Sequence, residues 1–262
     1  MIDLSLSVPE NKRVYFASDF HLGSPSHSVS LEREKKVVRW LNSIMHDAHS
    51  LFILGDIFDF WFEYGHTIPK GYARLMGCLA GLRDAGIGIY FFTGNHDMWM
   101  QDYFPKEFGI RVFRKPATVE INGTRFLLGH GDGLGPGDFK YKVLKKIFEN
   151  KICQWAFRCI HPDLGIPLAN FLSRNSRDVN LKKDLEFLGD KEWILQFCRE
   201  AELKDHHDIY MFGHRHMPLD ININENSRYI NLGDWMNHFT YAVTESKKTY
   251  IVKFDTSMAS GQ

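Results

Sequence analysis

The stretch Leu51–Asp59, LFILGDIFD, joins four consecutive apolar residues to a glycine and two aspartates. A short apolar run that ends in Gly-Asp is typical of a buried strand with polar ligands at its carboxyl end. Two further runs, Arg13–Ala17 (RVYFA) and Ile87–Phe92 (IGIYFF), have the same apolar character. Helical spacing over Leu31–Met45 and Tyr72–Ala85 separates the three runs. This β-α-β-α-β order predicts a parallel sheet with right-handed crossovers.

Beyond Gly109 the chain changes to short β-branched and aromatic runs, separated by turn residues such as Asn122-Gly123. Such runs predict short strands. We therefore expect an α/β fold in which two β-sheets pack as a sandwich flanked by helices. The predicted strands are Val112–Phe113, Thr118–Ile121, Arg125–Leu128, Ile209–Phe212, Leu219–Ile223, Ser227–Asn231, Thr240–Thr244 and Thr249–Phe254.

Strand signals stop between residues 135 and 190, where the spacing is helical. Helices are predicted over Phe139–Ala156, Ile166–Ser173 and Leu181–Phe197, with prolines interrupting them. A chain of 262 residues with 44% hydrophobic content can bury a large core. We expect a single domain over residues 1–262, with residues 135–190 forming a helical cap inserted into it.

The composition of the chain indicates its cellular compartment and the classes of partner that it favours. Lys plus Arg equals Asp plus Glu, so the overall charge does not indicate a nucleic-acid-binding protein. The four cysteines form no CxxC pair, which favours buried thiols in a reducing compartment. The first residues show no signal-peptide pattern, and no apolar run reaches the roughly 18 residues that a membrane span needs. These features predict a cytoplasmic protein.

Five short polar blocks each follow an apolar run directly. Carboxyl ends of strands in an open α/β sheet are where ligand sites form, so we expect the blocks to converge. One such block alone is more often a simple turn, but five at successive strand ends indicate one site. The blocks are Asp19-x-His21, Gly55-Asp56-x-x-Asp59, Gly94-Asn95-His96-Asp97, Gly129-His130-Gly131-Asp132 and Gly213-His214-Arg215-His216.

The residue types in these blocks suit metal chemistry. Carboxylate, imidazole and carbonyl donors without thiolates favour Mn, Fe or Zn. In Asp19-x-His21 and His214-x-His216, an extended backbone would send both side chains to the same side. Two metals roughly 3.5–4 Å apart need a bridging carboxylate, and Asp56 is the candidate. Glycines before the ligands would allow close backbone approach. Asp59, Asp97 and Asp132 could orient the histidines, and Arg215 is expected to face away, toward phosphate or a neighbouring loop.

The ordered blocks resemble those of the calcineurin-like metallophosphoesterases, over about Arg13 to Phe254. The resemblance implies a double β-sandwich flanked by helices and a site with two metals. It assigns one metal to Asp19, His21, Asp56 and His216, and the other to Asp56, Asn95, His130 and His214. It also implies that His96, held by Asp97, is a general acid or polarises the phosphate.

A narrower resemblance is to the UDP-2,3-diacylglucosamine hydrolase family of lipid A biosynthesis. It depends on Leu51–Phe62, His130–Leu134, the helical insertion and Leu232–Trp235. It implies hydrolysis of the pyrophosphate to UMP and 2,3-diacylglucosamine 1-phosphate. Many members carry Arg directly after the ligand asparagine, where this chain has His96. The residues expected to bind substrate are Asn95, His96, Asp138, Ser176, Asn180, Lys183 and His214.

The insertion carries a local charge bias in a chain that is neutral overall. From Phe139 to Lys183 there are ten basic residues and three acidic ones, interleaved with large apolar side chains. A basic amphipathic cap suits an anionic membrane surface and an acylated substrate. The alternative is a helical hairpin whose apolar face packs on the body while its lysines are merely solvated. Nucleic acid is disfavoured because no ladder of aromatic residues accompanies the charge.

The combined hypothesis is a metal-dependent hydrolase that acts on a UDP-linked acylated glucosamine lipid at the inner face of the membrane. Two divalent cations, in the first instance Mn²⁺, would bind the phosphate, and a hydroxide between them would attack phosphorus while His96 assists the leaving group. Two alternatives remain open. One is a phosphodiesterase or phosphatase that acts on another substrate, and the other is a non-catalytic binding module on the same fold.

Overall fold

The computed structural model describes residues 1–136, 139–169, 171 and 187–255. Its helices and strands alternate in the first half of the chain, whereas strands dominate the last quarter. The strands are β1 Leu4–Leu6, β2 Arg13–Ala17, β3 Ala48–Leu54, β4 Gly88–Phe92, β5 Arg111–Phe113, β6 Ala117–Ile121, β7 Thr124–Leu128, β8 Ile209–Phe212, β9 Pro218–Asn222, β10 Arg228–Leu232, β11 Thr240–Glu245 and β12 Lys248–Lys253. The helices are α1 His27–Ile44, α2 Ala73–Asp84, α3 Tyr103–Phe108, α4 Phe139–Glu149, α5 Lys151–Arg158, α6 162–169 and α7 Trp193–Glu202.

The strands form two six-stranded sheets. Sheet I has the order β1-β6-β7-β8-β10-β9, and sheet II has the order β12-β11-β2-β3-β4-β5. Strands β2, β3, β4 and β5 pair in parallel, and β7 and β8 also run parallel. Parallel pairing places the carboxyl ends of consecutive strands at the same edge of a sheet. The predicted α/β sandwich with flanking helices is confirmed.

Successive side chains of a strand point to opposite faces of its sheet, and the buried apolar side chains therefore form three layers. In β2, Val14 and Phe16 face the layer between the sheets, whereas Tyr15 faces α1 and α2. The rings of Phe16 and Phe126 stack across the two sheets with centroids 5.7 Å apart. A third layer, which includes Tyr210 of β8, packs sheet I against α7. The period of two residues explains why strands buried on both faces have almost continuously apolar sequences.

The structure corrects several predicted boundaries. The helix predicted over Phe139–Ala156 is two helices, because the side chain of Asn150 accepts from the amides of Ile152 and Cys153 and caps α5. In the helix predicted over Leu181–Phe197, residues 187–192 are not α-helical, and the helix α7 begins at Trp193. Helix α1 begins at His27 rather than Leu31. Strand β1 and helix α3 were not predicted.

The described part of residues 135–190 contains helices and one 3-10 turn, but no strand. Helix α5 has no buried residue, which is unusual for a helix on a domain surface. The described helices include none that is both long enough and apolar enough to cross a membrane.

Candidate metal centre

The five polar blocks meet at one edge of the sandwich. Blocks after β2, β3 and β4 come from sheet II, and those after β7 and β8 come from sheet I. Backbone hydrogen bonds join them: the amide of Asp19 donates to the carbonyl of Gly55 at 3.1 Å, and that of Gly213 donates to the carbonyl of His130 at 2.9 Å. The amide of His214 donates to Asp19 Oδ2 at 3.0 Å, so residues 195 positions apart lie in contact.

A first group of donors comprises Asp19, His21 and His216. Each offers one atom, and these atoms all lie within 4.8 Å of one another. Asp19 Oδ1 is 3.1 Å from His216 Nε2 and 3.6 Å from His21 Nε2, and the two Nε2 atoms are 3.1 Å apart. Asp19 and His21 are completely buried. These are the donor types and the separations that a divalent cation requires.

A second group comprises Asp56, His130 and His214 within the same 4.8 Å limit. Asp56 Oδ2 lies 3.2 Å from His130 Nε2, and the side-chain oxygen of Asn95 lies 3.1 Å from that same nitrogen. The structure therefore brings together all four residues that the resemblance assigned to the second metal.

Asp56 lies between the two groups. Its Oδ2 atom is 3.2 Å from His130 Nε2 in the second group and 3.6 Å from His21 Nε2 in the first. Its other oxygen, Oδ1, accepts from the backbone amide of His96 at 2.9 Å, which fixes the orientation of the carboxylate. This is the placement that a bridging ligand needs.

Glycine is required where the blocks approach most closely. A Cβ atom at Gly94 would lie 2.1 Å from Asp56 Oδ1, and one at Gly213 would lie 2.5 Å from Asp19 Oδ2. Both distances are far below van der Waals contact, so any larger residue would push a carboxylate away from its present position. The predicted need for close backbone approach is confirmed at these two positions.

The backbone of the donors is left-handed, not extended. Asp19, His21, Asp56, His214 and His216 have φ values of 56°, 44°, 52°, 70° and 50°. The predicted extended conformation is therefore wrong, although the side chains still converge. Non-glycine residues rarely adopt positive φ, at a cost of order 1–3 kcal/mol each when strained, and such residues concentrate at functional sites. The surrounding sheet packing must hold these five residues in place.

The tautomer of His130 leaves its inner nitrogen free for a ligand. Its Nδ1 lies 2.8 Å from the carbonyl oxygen of Leu54 and donates its proton there. Nε2, which faces Asp56 and Asn95, is therefore the nitrogen that would give up its proton and ligate a bound cation. A backbone carbonyl that orients the distal nitrogen is the usual support for a metal-binding histidine.

Electrostatics within the cluster favours the ionised carboxylates. Burial opposes ionisation of Asp19, but His216 and His21 outweigh it and hold the pKa of Asp19 well below its ordinary value. Burial likewise opposes ionisation of Asp56, and His130 and His96 lower its pKa. Burial also disfavours the charged form of His130, yet Asp56 raises the pKa of His130 to about 10. Burial and the His130 charge lower the pKa of His214 to about 3.

The donor set passes a simple test of fit for cations. Asp19 Oδ1 is fully buried and makes no hydrogen bond within the described part of the chain. A buried carboxylate oxygen without a hydrogen-bond donor is costly unless a positive charge lies beside it. The carboxylates of Asp19 and Asp56 among four imidazoles form a site that a pair of divalent cations would satisfy.

The three auxiliary aspartates have different roles. Asp59 Oδ1 lies 3.6 Å from His21 Nδ1 and 3.8 Å from His96 Nδ1, which fits the predicted orienting role.

Asp97 instead accepts from the backbone amides of Gly94 at 2.8 Å and Ile57 at 2.7 Å. The expectation that Asp97 holds His96 is therefore wrong. Its carboxylate joins two ligand loops, and the His96 ring bonds through Nδ1 to the carbonyl of Asp59 at 3.1 Å.

Asp132 joins the metal edge to the helical insertion. Its Oδ2 accepts from Tyr141 at 2.5 Å and from Lys145 at 2.6 Å, both on α4. Burial opposes its ionisation, but His130 and Lys145 lower its pKa. The expectation that Asp132 orients a histidine is replaced by a docking contact between α4 and the loop after His130. No sequence pattern indicated this contact, because Tyr141 and Lys145 lie on a separate helix.

Arg215 faces away from the donors, as expected, and contacts a neighbouring loop. It is buried, its Nε lies 2.7 Å from Glu192 Oε1, and its guanidinium lies 4.7 Å from the centroid of the Trp193 ring. Glu192 is also fully buried. The ion pair therefore ties the loop between His214 and His216 to the start of α7.

Four predicted substrate residues, Asp138, Ser176, Asn180 and Lys183, lie outside the described residues. The other three, Asn95, His96 and His214, lie at the metal edge. Burial lowers the pKa of His96 to about 4, so its ring is neutral at pH 7. A neutral ring that donates through Nδ1 presents a lone pair at Nε2, and only a bound anion that raises its pKa would make it a proton donor. Its predicted role as an acid stays a prediction.

Comparison with known proteins agrees with this geometry. The model of the calcineurin-like phosphoesterase family matches residues 12–218. The chain is 35% identical over 246 residues to a UDP-2,3-diacylglucosamine hydrolase of Porphyromonas gingivalis, covering 88% of this chain and 93% of that protein. Enzymes of the same name from Aeromonas salmonicida and Vibrio vulnificus are 30% and 28% identical. Each alignment covers 84% of this chain, with 85% and 88% of those proteins.

Proposed function

Because this chain belongs to the calcineurin-like phosphoesterases and is a metal-dependent hydrolase, we propose that its substrate is UDP-2,3-diacylglucosamine. The products would be UMP and 2,3-diacylglucosamine 1-phosphate. The observation that carries the proposal is Asp56, whose carboxylate lies between two His/Asp donor groups at the edge where the helical insertion docks. The names of the relatives, which align over most of both chains, support the choice of substrate.

The proposed ligands of one cation are Asp19, His21, Asp56 and His216. The proposed ligands of the other are Asp56, Asn95, His130 and His214. Manganese suits this mixture of carboxylate, amide and imidazole donors. Bound divalent cations would polarise the phosphoryl oxygens and lower the pKa of water, so that hydrolysis proceeds near neutral pH.

Backbone groups of the protein position the proposed ligands. Leu54 fixes the His130 ring through its carbonyl, and the amide of His96 fixes the carboxylate of Asp56. His96 lies beside both donor groups, since its ring centroid is 5.0 Å from that of His21. It would contact the phosphate and assist departure of the leaving group. Asp97 joins the loops of Asp56 and Asn95 and would act only through them.

The insertion would hold the lipid part of the substrate and touch the membrane. Large apolar side chains on α4, α5 and α6 are exposed to solvent, which the packing of a soluble hairpin does not explain. Basic residues beside them would face anionic head groups. The exposed apolar residues are Val143, Leu144, Ile147, Ile152, Trp155, Leu164, Leu168 and Phe171. From the resemblance alone, Ser176, Asn180 and Lys183 are proposed to contact the sugar phosphate, and Asp138 is proposed to bind the glucosamine.

The decisive experiment measures UMP release from UDP-2,3-diacylglucosamine with Mn²⁺, for this chain and for Asp56→Ala. We expect turnover that chelation abolishes and that Asp56→Ala lowers by at least about 10³-fold, because the carboxylate common to both groups is lost. Activity on a small aryl phosphate diester without UMP release would instead favour a phosphodiesterase with another substrate. Fewer than two equivalents of bound metal, without turnover, would favour a binding module.

A further inference from the structure

A basic cleft of about 590 Å³ opens beside the candidate metal centre, between the β4–β5 edge of sheet II and helices α4 and α5. Its wall includes Thr93 and Gly94, the two residues that directly precede Asn95. We define the basic cleft by six of its lining residues, Arg114, Lys115, Lys145, Lys151, Trp155 and Arg158. None of these six residues belongs to the five ligand blocks.

The cleft continues toward the metal ligands. A second cavity of about 210 Å³ touches His130 and Asp132, and it shares Thr93, Arg114 and Lys145 with the basic cleft. Shared walls make the two cavities neighbours. A ligand with one phosphate at the metal centre could therefore extend outward along Arg114 and Lys145.

The positive charge of the cleft is largely uncompensated. Five basic side chains line it against one acid, Glu149. Lys145 pairs with Asp132, whereas Arg158 donates to neutral oxygens, at 2.7 Å to the Gln101 side chain and at 3.3 Å to the Glu63 carbonyl. Within the described chain Lys115 and Lys151 have no ion pair. Cations without carboxylate partners beside a phosphate-processing centre favour an anionic ligand.

The apolar surface of the insertion is directed elsewhere. Of the eight exposed large apolar side chains on the described part of residues 139–171, Trp155 alone lines the cleft. The aliphatic ones, among them Val143, Ile147 and Ile152, do not line it. Within the cleft the aliphatic lining is that of Met98, so acyl chains would make few aliphatic contacts there. The Trp155 ring, 67% exposed, instead offers a flat surface for a planar group.

We propose that the basic cleft binds the nucleotide half of the substrate, with anionic oxygens near Arg114 and Lys115 and the base against Trp155. This inference rests on the proposed function, because it places one part of that same substrate. A volume of about 590 Å³ accommodates a nucleoside monophosphate, given that small-molecule sites are about 300–1,000 Å³. The lipid would then leave the metal centre along the apolar side of the insertion, so that the two halves of the substrate separate.

The test uses calorimetric titration of UMP into the Mn²⁺-loaded protein, which needs no turnover. In the double variant Arg114→Gln/Lys115→Gln we expect UMP to bind at least about tenfold more weakly, because charge-assisted contacts are lost. The matched control is Arg111→Gln/Lys146→Gln, which removes the same two charges from β5 and α4 outside the cleft. Its affinity for UMP should stay within about twofold of the unmodified protein.

A second pair of titrations tests the base. Trp155→Ala should weaken the binding of UMP by roughly tenfold and leave that of inorganic phosphate unchanged, because the stacking contact with the base is lost. The control Ile152→Ala, one turn earlier on α5, should change neither. Equal losses for both charge pairs, equal losses of UMP and phosphate in Trp155→Ala, or no UMP binding at all would each overturn the proposal. Failure to release UMP from UDP-2,3-diacylglucosamine would instead reject the proposed function. The titrations measure binding without turnover, so the two outcomes can be distinguished.

Discussion

The metal edge and the helical insertion, next to each other in space, are built in opposite ways. At the metal edge Asp19, His21 and Asp56 are buried, their backbone is left-handed and their polar atoms face one another. In the insertion, α5 has no buried residue, and Ile152 and Trp155 are 74% and 67% exposed. The first region is buried and its donors converge, whereas the second leaves apolar and basic surface exposed for a partner. The buried donors and the exposed binding surface are thus separated within one chain.

The two regions contact each other through polar and aromatic side chains. Lys145 and Tyr141 of α4 hold Asp132, two residues after His130. Phe157 of α5 packs against Phe60 and Phe62, with ring centroids 6.3 and 4.7 Å apart. Just after the insertion, Glu192 holds Arg215 between His214 and His216. We therefore expect three separate effects of substitution. Changes at the metal edge should affect chemistry, changes at the buried ion pair should affect folding, and changes on the exposed apolar surface of the insertion should affect lipid binding.

The largest effect is expected from the histidines of the metal edge. His130→Ala should lower kcat/KM by at least about 10³-fold, because a ligand that two side chains and a backbone carbonyl hold in place is lost. His161→Ala, an exposed histidine of the insertion, is the matched control and should retain full activity. Metal content and UMP release measure both. Equal activity of the two variants would break the distinction between the regions.

The buried ion pair comes next, and its readout is folding stability. Arg215→Met leaves the Glu192 carboxylate buried beside an apolar side chain, which should destabilise the protein by about 3–5 kcal/mol. For a chain of this size the melting temperature should fall by roughly 10 °C. The double variant Arg215→Met/Glu192→Leu should recover most of the loss. Thermal unfolding measures this, and a double variant as unstable as the single one would contradict the argument.

A smaller effect is expected from the exposed leucines of α6. Leu164→Ser/Leu168→Ser should weaken binding to anionic lipid vesicles by about tenfold or more, since burial of each leucine contributes up to roughly 1.5–3 kcal/mol. Hydrolysis of a water-soluble aryl phosphate diester should be unchanged. Leu203→Ser is the control, because Leu203 is 88% exposed and lies just after α7, outside the insertion. Binding is measured by cosedimentation with vesicles. If Leu203→Ser weakens binding as much as the double variant does, the proposed membrane contact is rejected.

The smallest effect lies in neither region and appears only in acid. Burial opposes the ionisation of Glu202, but hydrogen bonds from Tyr210 and His206 outweigh it and lower its pKa to about 2. Because the folded pKa is below the ordinary value of 4.5, this carboxylate stabilises the fold above pH 4.5. The contribution is lost as the pH falls toward 2. Glu202→Gln should therefore show a shallower acid loss of stability than the unmodified chain, measured by denaturant unfolding, with unchanged activity.

Much of the fold followed from local pattern. Runs such as Arg13–Ala17 and Ile209–Phe212 were predicted with their observed bounds, because alternation and apolar content are properties of a few consecutive residues. The break at Asn150 was missed, since the helical spacing continues through it and only the cap shows where one helix ends. Helix α3 was missed because it has six residues, too few for a periodic signal.

The candidate site was predicted in its members but not in its geometry. The sequence indicated that Asp19, Asp56 and His130 belong together, since each follows an apolar strand. It did not indicate that Asp97 would bond to the amides of Ile57 and Gly94 rather than to the His96 ring. That choice depends on how two loops approach each other, and single blocks carry no information about it.

The sequence by itself determined which strands form and which donor residues follow them, because strand periodicity and residue chemistry are encoded within short segments. Only the tertiary structure decided that His21 and His216, 195 positions apart, have ring nitrogens 3.1 Å apart. It also decided that the basic cleft opens between β5 and two helices of the insertion. The physical reason is that such distances follow from the packing of whole sheets and helices, a collective balance of burial and sterics that no local pattern specifies.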